Sequence, residues 1–327
     1  MKNKSFLLKL IPAIIIIVAT TLLSGSMNNY IMTLANTALI YFLCTAGLSL
    51  LLGIGGQLVM CSITFTGLGG FLTAQLAMKF GIPTVPALFI AVAIGTVIGL
   101  GFGLILMRLK GGFLVFGSIG LVNIGATFFQ NYTPLSGGPD GLYGLPKLMI
   151  FGYTFDNMQA WFTLLSCIAV AVILLVSRIR STSLGRSLMA VRDDEIAAAT
   201  LGVHVYRTKV IAFTINCALA CLAGGLLAYY NGVISSSLFT FNNQIQFVIM
   251  VMLGGVNSSI GTLIGTVIVL ALPELLRPLI NYLNLIYGMF IIILMIFMPM
   301  GVAGVLGSAY KKIINFKRKA NTNADTR

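Results

Sequence analysis

The run PALFIAVAIGTVIGLGFGLILM, from Pro86 to Met107, decides the fold of this chain. Its 22 residues include no charged side chain. A helix needs roughly 20 predominantly apolar residues to cross the hydrocarbon core of a bilayer, so this run is long enough for one span. Another uncharged apolar stretch extends from Leu10 to Leu23. Runs of this kind recur along the chain and predict membrane-spanning helices.

The composition of the whole chain agrees with that prediction. Of its 327 residues, 58% are hydrophobic and only 8% are charged, and the mean hydropathy is +1.02. Ordinary soluble domains contain about 25% charged residues, so a soluble fold is excluded. The sequence predicts an all-α fold: one polytopic transmembrane helical bundle over residues 1–310, followed by a basic tail at 311–327.

Apolar runs between polar or Gly/Pro-rich stretches predict about ten spans. These are residues 10–26, 30–52, 57–78, 83–107, 112–131, 158–177, 210–230, 240–256, 259–276 and 282–300. A re-entrant hairpin stays open for the eighth and ninth spans, which only a short stretch separates. The glycine-rich stretch from Gly53 to Gly70 is a candidate for a broken span. A cleavable signal peptide is possible at the start of the chain, but an uncleaved first span is the simpler interpretation.

The distribution of basic residues predicts the orientation. If both termini are cytoplasmic, 17 of the 20 Lys and Arg residues fall on the cytoplasmic side and 3 fall outside. Short cytoplasmic loops collect Lys and Arg in this way. The net charge of +13 therefore reflects orientation in a membrane, and no basic groove interleaved with aromatic residues indicates a nucleic-acid partner.

Two of the predicted loops are long. Residues 131–157, predicted to lie outside, are rich in Pro and Gly, a composition typical of turns. Residues 178–209, predicted to be cytoplasmic, contain no proline and are predicted to be helical. We call these stretches the 131–157 segment and the 178–209 segment.

A short capped helix is predicted inside the 178–209 segment. Asp193 is a suitable N-cap, the acids Asp194 and Glu195 suit the positive end of the helix dipole, and Gly202 suits the position just after the last turn. Two interpretations remain open from the residues alone. The helix is either a solvated surface helix or a rigid docking helix that fits a groove in a partner protein.

The same segment resembles a known family. The run GRSLMAVRDDEIAA at Gly185–Ala198 is similar to the cytoplasmic coupling segment of branched-chain amino acid ABC permeases. The run SGGPDGL at Ser136–Leu142 resembles that family's TGGPNGL-like loop, and the similarity is strongest to its LivM-type branch. The resemblance implies that the coupling residues are Gly185, Arg186, Arg192, Asp193, Asp194, Glu195, Ala198 and Gly202. It also implies external-loop residues, namely Gly137, Gly138, Pro139, Asp140 and Gly141.

The family resemblance further implies the partners and the energy source. A permease of this family works with a second homologous permease, two cytoplasmic ATPase subunits and an extracellular or periplasmic solute-binding protein, in the bacterial plasma membrane. This chain itself would bind no cofactor, and its partners would use ATP. One departure concerns the substrate: at Arg108–Leu114 the run RLKGGFL stands where the family usually has an Arg-Leu-x-Gly-x-Tyr-Phe stretch. Nucleosides, sugars, urea or amides therefore stay open beside branched-chain amino acids.

Small and sulfur-containing residues are predicted to serve packing. Ala87, Ala91, Gly95, Gly99 and Gly103 recur every four residues and predict a strip where another helix approaches closely. Gly261 and Gly265 repeat this spacing. The five cysteines all fall in apolar runs without metal-ligand spacing, so we expect them to be buried.

Polar residues inside the spans are few and are candidates for the lining of a pathway, although a hydrogen bond between helices explains each of them equally well. They are Gln57, Thr64, Thr66, Gln75, Asn123, Gln130 and Asn216.

Rival function classes find little support in the sequence. A proton- or sodium-coupled transporter usually carries acidic residues or histidines inside the membrane. Here Glu274 lies near a span end, within reach of Arg277, and the sole histidine is His204 in the 178–209 segment. No Gly-x-x-x-x-Gly-Lys-[Ser/Thr] loop exists in these 327 residues, so ATP would be hydrolysed by a separate subunit. No metalloprotease motif, nucleophile elbow or facing carboxylate pair indicates an enzyme.

Overall fold

The computed structural model describes residues 28–150, 152–275 and 288–289. Most of these residues are helical, as expected. The helices are α1 (Asn29–Ser49), α2 (Ser62–Met78), α3 (Thr84–Leu106), α4 (Gly112–Asn131), α5 (Thr133–Ser136), α6 (Met158–Ser181), α7 (Ser183–Asp193), α8 (Glu195–Thr200), α9 (Val205–Asn231), α10 (Phe241–Gly254) and α11 (Ser259–Leu275). The first predicted span, nearly all of the tenth, the tail at 311–327 and Arg277 lie outside the described residues.

The prediction of about ten spans stays a prediction. Within the described residues, five helices are long and apolar enough to cross a membrane: Asn29–Ile54, Thr84–Leu106, Gly112–Asn131, Met158–Ser181 and Val205–Asn231. A shorter apolar helix covers Ser259–Glu274.

A break interrupts the backbone between α1 and α2. After α1 the chain makes one π turn over Leu50–Ile54, and residues 55–61 then form no helix before α2 begins at Ser62. The predicted third span, 57–78, therefore starts five residues too early as a helix. We call residues 50–61 the first break. Such π turns often occur at functional sites.

A second break, residues 255–258, separates α10 from α11. The two helices then pack tightly side by side: a Cβ added at Gly265 would lie 2.3 Å from the Met250 carbonyl oxygen, and one at Gly254 would lie 2.2 Å from that of Gly261. These contacts pair the end of α10 with the start of α11, as in a helical hairpin. The packing role expected of Gly261 and Gly265 is confirmed.

Helices α1 and α9 form the centre of the bundle. In their most apolar stretches 78% and 72% of the residues are buried, compared with 28% for α3 and 33% for α4. The predicted small-residue strip of α3 lies against α9, where a Cβ added at Gly95 would meet the Cys221 sulfur at 2.4 Å and one at Gly99 would meet the Cys217 Cβ at 2.6 Å. Glycine at these positions lets the two helices come close.

The cysteines follow their expected placement with one exception. Cys44, Cys61, Cys217 and Cys221 are buried, whereas Cys167 of α6 is exposed. The expectation was wrong for Cys167 because an apolar run does not show which face of its helix turns toward the bundle.

The all-α expectation was incomplete in the 131–157 segment and just after α9. Four two-residue strands form there: β1 (Leu142–Tyr143), β2 (Met149–Ile150), β3 (Tyr153–Thr154) and β4 (Val233–Ile234). β1 pairs with β4 and β2 pairs with β3, both antiparallel. Strands this short carry no periodicity that a sequence could reveal.

Candidate coupling and translocation sites

The 178–209 segment folds into consecutive helical pieces, as expected. α6 continues to Ser181, α7 and α8 follow, and α9 begins at Val205. Gly185 allows the sharp turn from α6 into α7, because a Cβ there would lie 2.3 Å from the Ile179 carbonyl oxygen. Arg186 is exposed and donates to the Ser181 carbonyl, so it bonds within the segment.

Asp194, one residue later than expected, caps α8. Its carboxylate Oδ1 accepts hydrogen bonds from the Ile196 and Ala197 amides at 2.7 and 3.0 Å. The prediction of Asp193 as N-cap was wrong because α7 extends through Asp193, while Asp194 is extended (φ −158°) and can reach forward. The choice between two adjacent acids depended on where the preceding helix ended.

Gly202 terminates α8, as expected from the sequence. This residue has φ +82°, its amide donates to the Ala199 carbonyl at 3.0 Å, and the next amide, of Val203, donates to the Ala198 carbonyl at 3.1 Å. The two bonds form a Schellman motif, which satisfies carbonyls that the last turn leaves free. α8 is thus a short helix with both ends fixed.

The orientation of α8 is fixed by one buried residue and one ion pair. Ala198 is buried against the bundle, and the Lys209 ammonium of α9 pairs with the Glu195 carboxylate at the start of α8. The Lys209 side chain is only 5% exposed. A nearly buried ammonium is unfavourable without a partner, so this pair holds α8 against α9. The sequence did not reveal Lys209 as that partner.

Two apolar side chains of this region point away from the bundle. Ile196 is 79% exposed and Leu201 is 82% exposed. A rigid short helix that presents two large apolar side chains to its surroundings is suited to bind a groove in another protein. The sequence analysis did not single out these two residues, although both are large apolar residues in a segment predicted to be cytoplasmic.

Arg192 leaves the segment and reaches both breaks. Its guanidinium donates to the Gly53 carbonyl at 2.5 Å and to the Asn257 side-chain oxygen at 3.1 Å. Arg180 donates to the Asn257 backbone carbonyl at 2.5 Å. Sequence reasoning assigned Arg192 to coupling but gave no sign of Gly53 or Asn257 as its partners.

Several candidate pathway residues instead form hydrogen bonds between helices. Asn216 of α9 bonds Ser62 at the start of α2, with 3.1 Å between the amide nitrogen and the hydroxyl oxygen. Thr66 lies 3.3 Å from the Cys44 sulfur, and Gln75 donates to the Pro134 and Leu135 carbonyls. These contacts support a packing role for all three.

The remaining buried candidates have unpaired polar atoms. The Gln57 side-chain oxygen in the first break and the Thr64 hydroxyl in α2 have no hydrogen-bond partner among the residues that the structure describes. Thr64 faces α4, where a Cβ added at Gly125 would touch it at 2.4 Å. Both stay candidates for the pathway.

A polar stripe lies on the outward face of α4. Asn123, Thr127 and Gln130 are all exposed, and their spacing of four and three residues places them on one face. Polar groups facing lipid are unfavourable, so residues of this kind usually face protein or water inside a membrane. We call these three residues the polar stripe.

The 131–157 segment closes the opposite end of the bundle from Arg192. Gly137, Gly138 and Gly141 all have positive φ, and a Cβ at Gly141 would lie 2.3 Å from the Ile234 carbonyl oxygen. These conformations favour glycine, which explains the glycines of the SGGPDGL run. Pro139 and Asp140 are exposed there.

One ion pair lies in the same segment. Lys147 and Asp156 are 2.5 Å apart, and the hydrogen bond from Lys147 holds the pKa of the Asp156 carboxyl below its ordinary value. Both side chains are largely exposed, so the pair adds little to stability.

Within residues 28–150, 152–275 and 288–289, no group of three or more His, Cys, Asp or Glu is placed to hold a metal ion.

Sequence comparisons assign this architecture to a family. The family described as "Branched-chain amino acid transport system / permease component" matches residues 30–299. The chain belongs to this family. It is therefore a multi-pass membrane protein of a transport permease family, and the expected resemblance is confirmed.

Curated relatives of this permease include permease proteins of two kinds of transport system. The high-affinity branched-chain amino acid transport system permease protein LivM of Escherichia coli (strain K12) is 30% identical, over 82% of this chain and 68% of its own length. The corresponding LivH is 29% identical over 54% of this chain and 60% of its own. The autoinducer 2 import system permease protein LsrC of Salmonella paratyphi B is 25% identical over 78% of this chain and 74% of its own length. No solved structure matches the chain.

Proposed function

We propose that this permease is a membrane-spanning subunit of a bacterial ABC importer for branched-chain amino acids. A solute-binding protein would deliver the substrate outside, and two separate ATPase subunits would drive the cycle from the cytoplasm. Family membership and 30% identity to a branched-chain amino acid permease support this proposal. The single observation that carries the coupling role is α8, a short helix fixed at both ends that presents Ile196 and Leu201 outward.

The geometry of α8 suits transmission of force from an ATPase. A docking helix must keep its shape when a partner pushes on it, and α8 is held by its Asp194 cap, its Gly202 end and the Glu195–Lys209 pair. The two exposed apolar side chains would enter a groove of the ATPase subunit. This proposal favours the docking interpretation of α8 over the solvated surface helix.

The polar stripe of α4 would line the translocation path together with a second, homologous permease. Asn123, Thr127 and Gln130 face away from this chain, so one subunit alone supplies only one wall. A weakly polar wall suits a path that must release its substrate. Substrate selection would then reside mainly in the solute-binding protein.

Uptake into proteoliposomes tests the proposal. Reconstituted with its partner permease, ATPase subunits and binding protein, the chain should take up leucine only when ATP is supplied on the cytoplasmic side. The chain alone should be inactive with or without an ion gradient. Gradient-driven uptake by this chain alone would replace the importer with a secondary transporter.

A second candidate concerns only the substrate. The autoinducer 2 permease relative favours importers of other small polar solutes within this family. ATP-dependent uptake of a sugar, nucleoside, urea or amide in place of leucine would identify a different substrate. The proposed ABC importer mechanism would be unaffected.

A pair of glycine variants tests the coupling role of α8. Gly202 and Gly144 both have positive φ and open space around the missing Cβ, so valine causes similar backbone strain at each. Gly202→Val should abolish ATPase binding in co-purification, while Gly144→Val, on a different segment, should retain it. Equal ATPase binding by both variants contradicts the docking role. Leu201→Asp should lose ATPase binding without backbone strain.

Thiol labelling tests the orientation. In a Cys167→Ser chain, a cysteine at Thr200 should react with a membrane-impermeant reagent only after cells are opened. A cysteine at Asp140 should react in intact cells. Labelling of both positions in intact cells contradicts a cytoplasmic 178–209 segment.

A further inference from the structure

The two breaks of the bundle meet each other directly. A Cβ added at Gly53 in the first break would lie only 1.8 Å from the Val256 carbonyl oxygen in the second break. Only glycine permits this backbone contact. The end of the α1 region and the turn between α10 and α11 therefore touch, although about 200 residues of sequence separate them.

Arg192 binds to both breaks at their point of contact. Its guanidinium donates to the Gly53 carbonyl and to the Asn257 side-chain oxygen. Its methylene groups lie against Gly56, where a Cβ would come within 2.6 Å of the Arg192 Cγ. Hydrogen bonds from a charged donor are stronger than those between neutral groups. One side chain at the end of α7 thus contacts three positions in two breaks.

The bond to Gly53 compensates for a defect in the backbone. In a regular α-helix the Gly53 carbonyl would accept from the amide of residue 57, but the Gln57 amide donates to the Leu51 carbonyl instead. The π turn has shifted the register, and Arg192 supplies a donor to Gly53. The conformation of the first break therefore depends on where α7 holds Arg192.

α7 itself is firmly connected to both α8 and the bundle. Leu188 and Val191 are buried, and the Leu188 side chain lies 3.4 Å from a Cβ added at Gly55 in the first break. Only Asp194 separates α7 from α8. A displacement of α8 consequently moves the backbone that carries Arg192.

We propose that Arg192 is a positioning residue that makes the two breaks move as one unit with α7 and α8. This inference rests on the proposed function, because α8 is taken as the site where the ATPase acts. At both breaks the α-helical hydrogen-bond pattern is interrupted. The backbone can therefore change direction there without losing α-helical hydrogen bonds. Arg192 connects the movement of α8 to both of them.

Removal of Arg192 should uncouple ATP hydrolysis from transport. In the complete reconstituted importer, Arg192→Ala should bind the ATPase subunits and hydrolyse ATP, because Ile196 and Leu201 are unchanged. The amount of leucine taken up per ATP should fall at least about fivefold, the lower end of usual coupling effects. Arg192→Lys retains a charged donor and should restore part of this ratio.

Asn257 provides a second, independent variant. Asn257→Leu removes the side-chain acceptor and leaves the Gly53 bond, so the uptake per ATP should fall less than in Arg192→Ala. Asn257→Asp keeps an acceptor oxygen and adds a negative charge opposite the guanidinium, so it should retain coupling. If Arg192→Ala fails to insert into membranes, the uptake per ATP of Asn257→Leu, Asn257→Asp and Arg192→Lys still tests the role of Arg192.

Arg207 is the matched control. It is also an exposed arginine of the 178–209 segment, and it has no hydrogen bond or ion pair with the residues described. Arg207→Ala removes the same charge and should keep the uptake per ATP of the unaltered chain. An unchanged ratio in Arg192→Ala, or an equal fall in Arg207→Ala, overturns the role of Arg192. Failure of the proposed function looks different, since the unaltered importer would then show no ATP-dependent uptake at all.

Discussion

Helices α3 and α4 follow each other in the chain and have similar lengths, but only α4 exposes a stripe of polar side chains. They have 23 and 20 residues, and only 28% and 33% of their most apolar stretches are buried. The exposed large side chains of α3 are all apolar, among them Phe89, Val97 and Ile105. The outward face of α4 also exposes apolar side chains such as Phe116 and Ile124, but it carries in addition the polar stripe, in the half nearest the 131–157 segment.

This difference shows that exposure has two meanings in a membrane protein. A side chain that leaves the bundle meets either hydrocarbon or a surface with polar partners, and only the second tolerates an amide without loss of stability. The exposed face of α3 suits lipid. The polar stripe of α4 suits water or a second protein, in agreement with the path proposed for two permeases.

The largest effect is expected on the buried side of α3. Gly99→Leu should reduce the free energy of unfolding by about 3 kcal/mol, the upper part of the usual cost of overpacking, because the Cys217 Cβ lies only 2.6 Å from the added Cβ. Thermal unfolding in detergent measures this loss. Gly101 on the outward face has nothing within 4 Å, so Gly101→Leu should be tolerated. Equal losses would show that α3 is not oriented as described.

A polar substitution on the lipid-facing side of α3 should have the next largest effect. Val97 is 71% exposed, and Val97→Asn should reduce the free energy of unfolding in bilayers by about 1–3 kcal/mol, because the amide loses its hydrogen bonds to water. The reverse change on α4, Asn123→Val, should cause no such loss. Unfolding in vesicles compares the two variants. If Val97→Asn is harmless, the outward face of α3 is not in contact with hydrocarbon.

On α4 the expected effect is on transport and is smaller in energy. Asn123→Val should lower the maximal uptake rate of the reconstituted importer about fivefold, which corresponds to one lost hydrogen bond of about 1 kcal/mol along the path. Substrate binding to the isolated binding protein should be unaffected. Asn29→Val, which removes an exposed amide from α1, outside the polar stripe, is the control and should transport normally. Equal reductions in both variants would argue against a path along the stripe.

The smallest effect concerns the β2–β3 hairpin, which is anchored to the start of α3 by the bonds between Thr84 and Met149. The Asp156 pKa is lowered in the folded state by Lys147, so their pair stabilises the fold above the ordinary pKa of Asp. This stabilisation is lost as the pH falls through the lowered folded pKa. The difference in melting temperature between the unaltered chain and Lys147→Ala should be small at pH 7 and vanish once the pH has fallen through the lowered folded pKa of Asp156. A difference that persists in acid would show that Lys147 acts by packing.

Much of the architecture could be predicted from the sequence, because the membrane restricts what an apolar run can become. The eight predicted spans between residues 30 and 276 all coincide with described helices, apart from the five residues by which the third was placed too early. Periodicity also identified the Gly95–Gly99–Gly103 strip as a packing surface. Cap chemistry identified a short helix ending at Gly202, although it chose Asp193 in place of Asp194.

Only the tertiary structure decided which side of each helix is buried and which distant residues meet. Apolar runs contain hydrophobic residues on all faces, so the sequence did not separate Asn123, which faces outward, from Asn216, which is buried on Ser62. The pairing of Glu195 with Lys209 and the contacts of Arg192 with Gly53 and Asn257 depend on how helices pack across the bundle. Local patterns determine where a helix forms and ends, because hydrogen bonds and caps act within a few residues. Contacts between helices depend on packing of the whole bundle, which no single stretch of sequence contains.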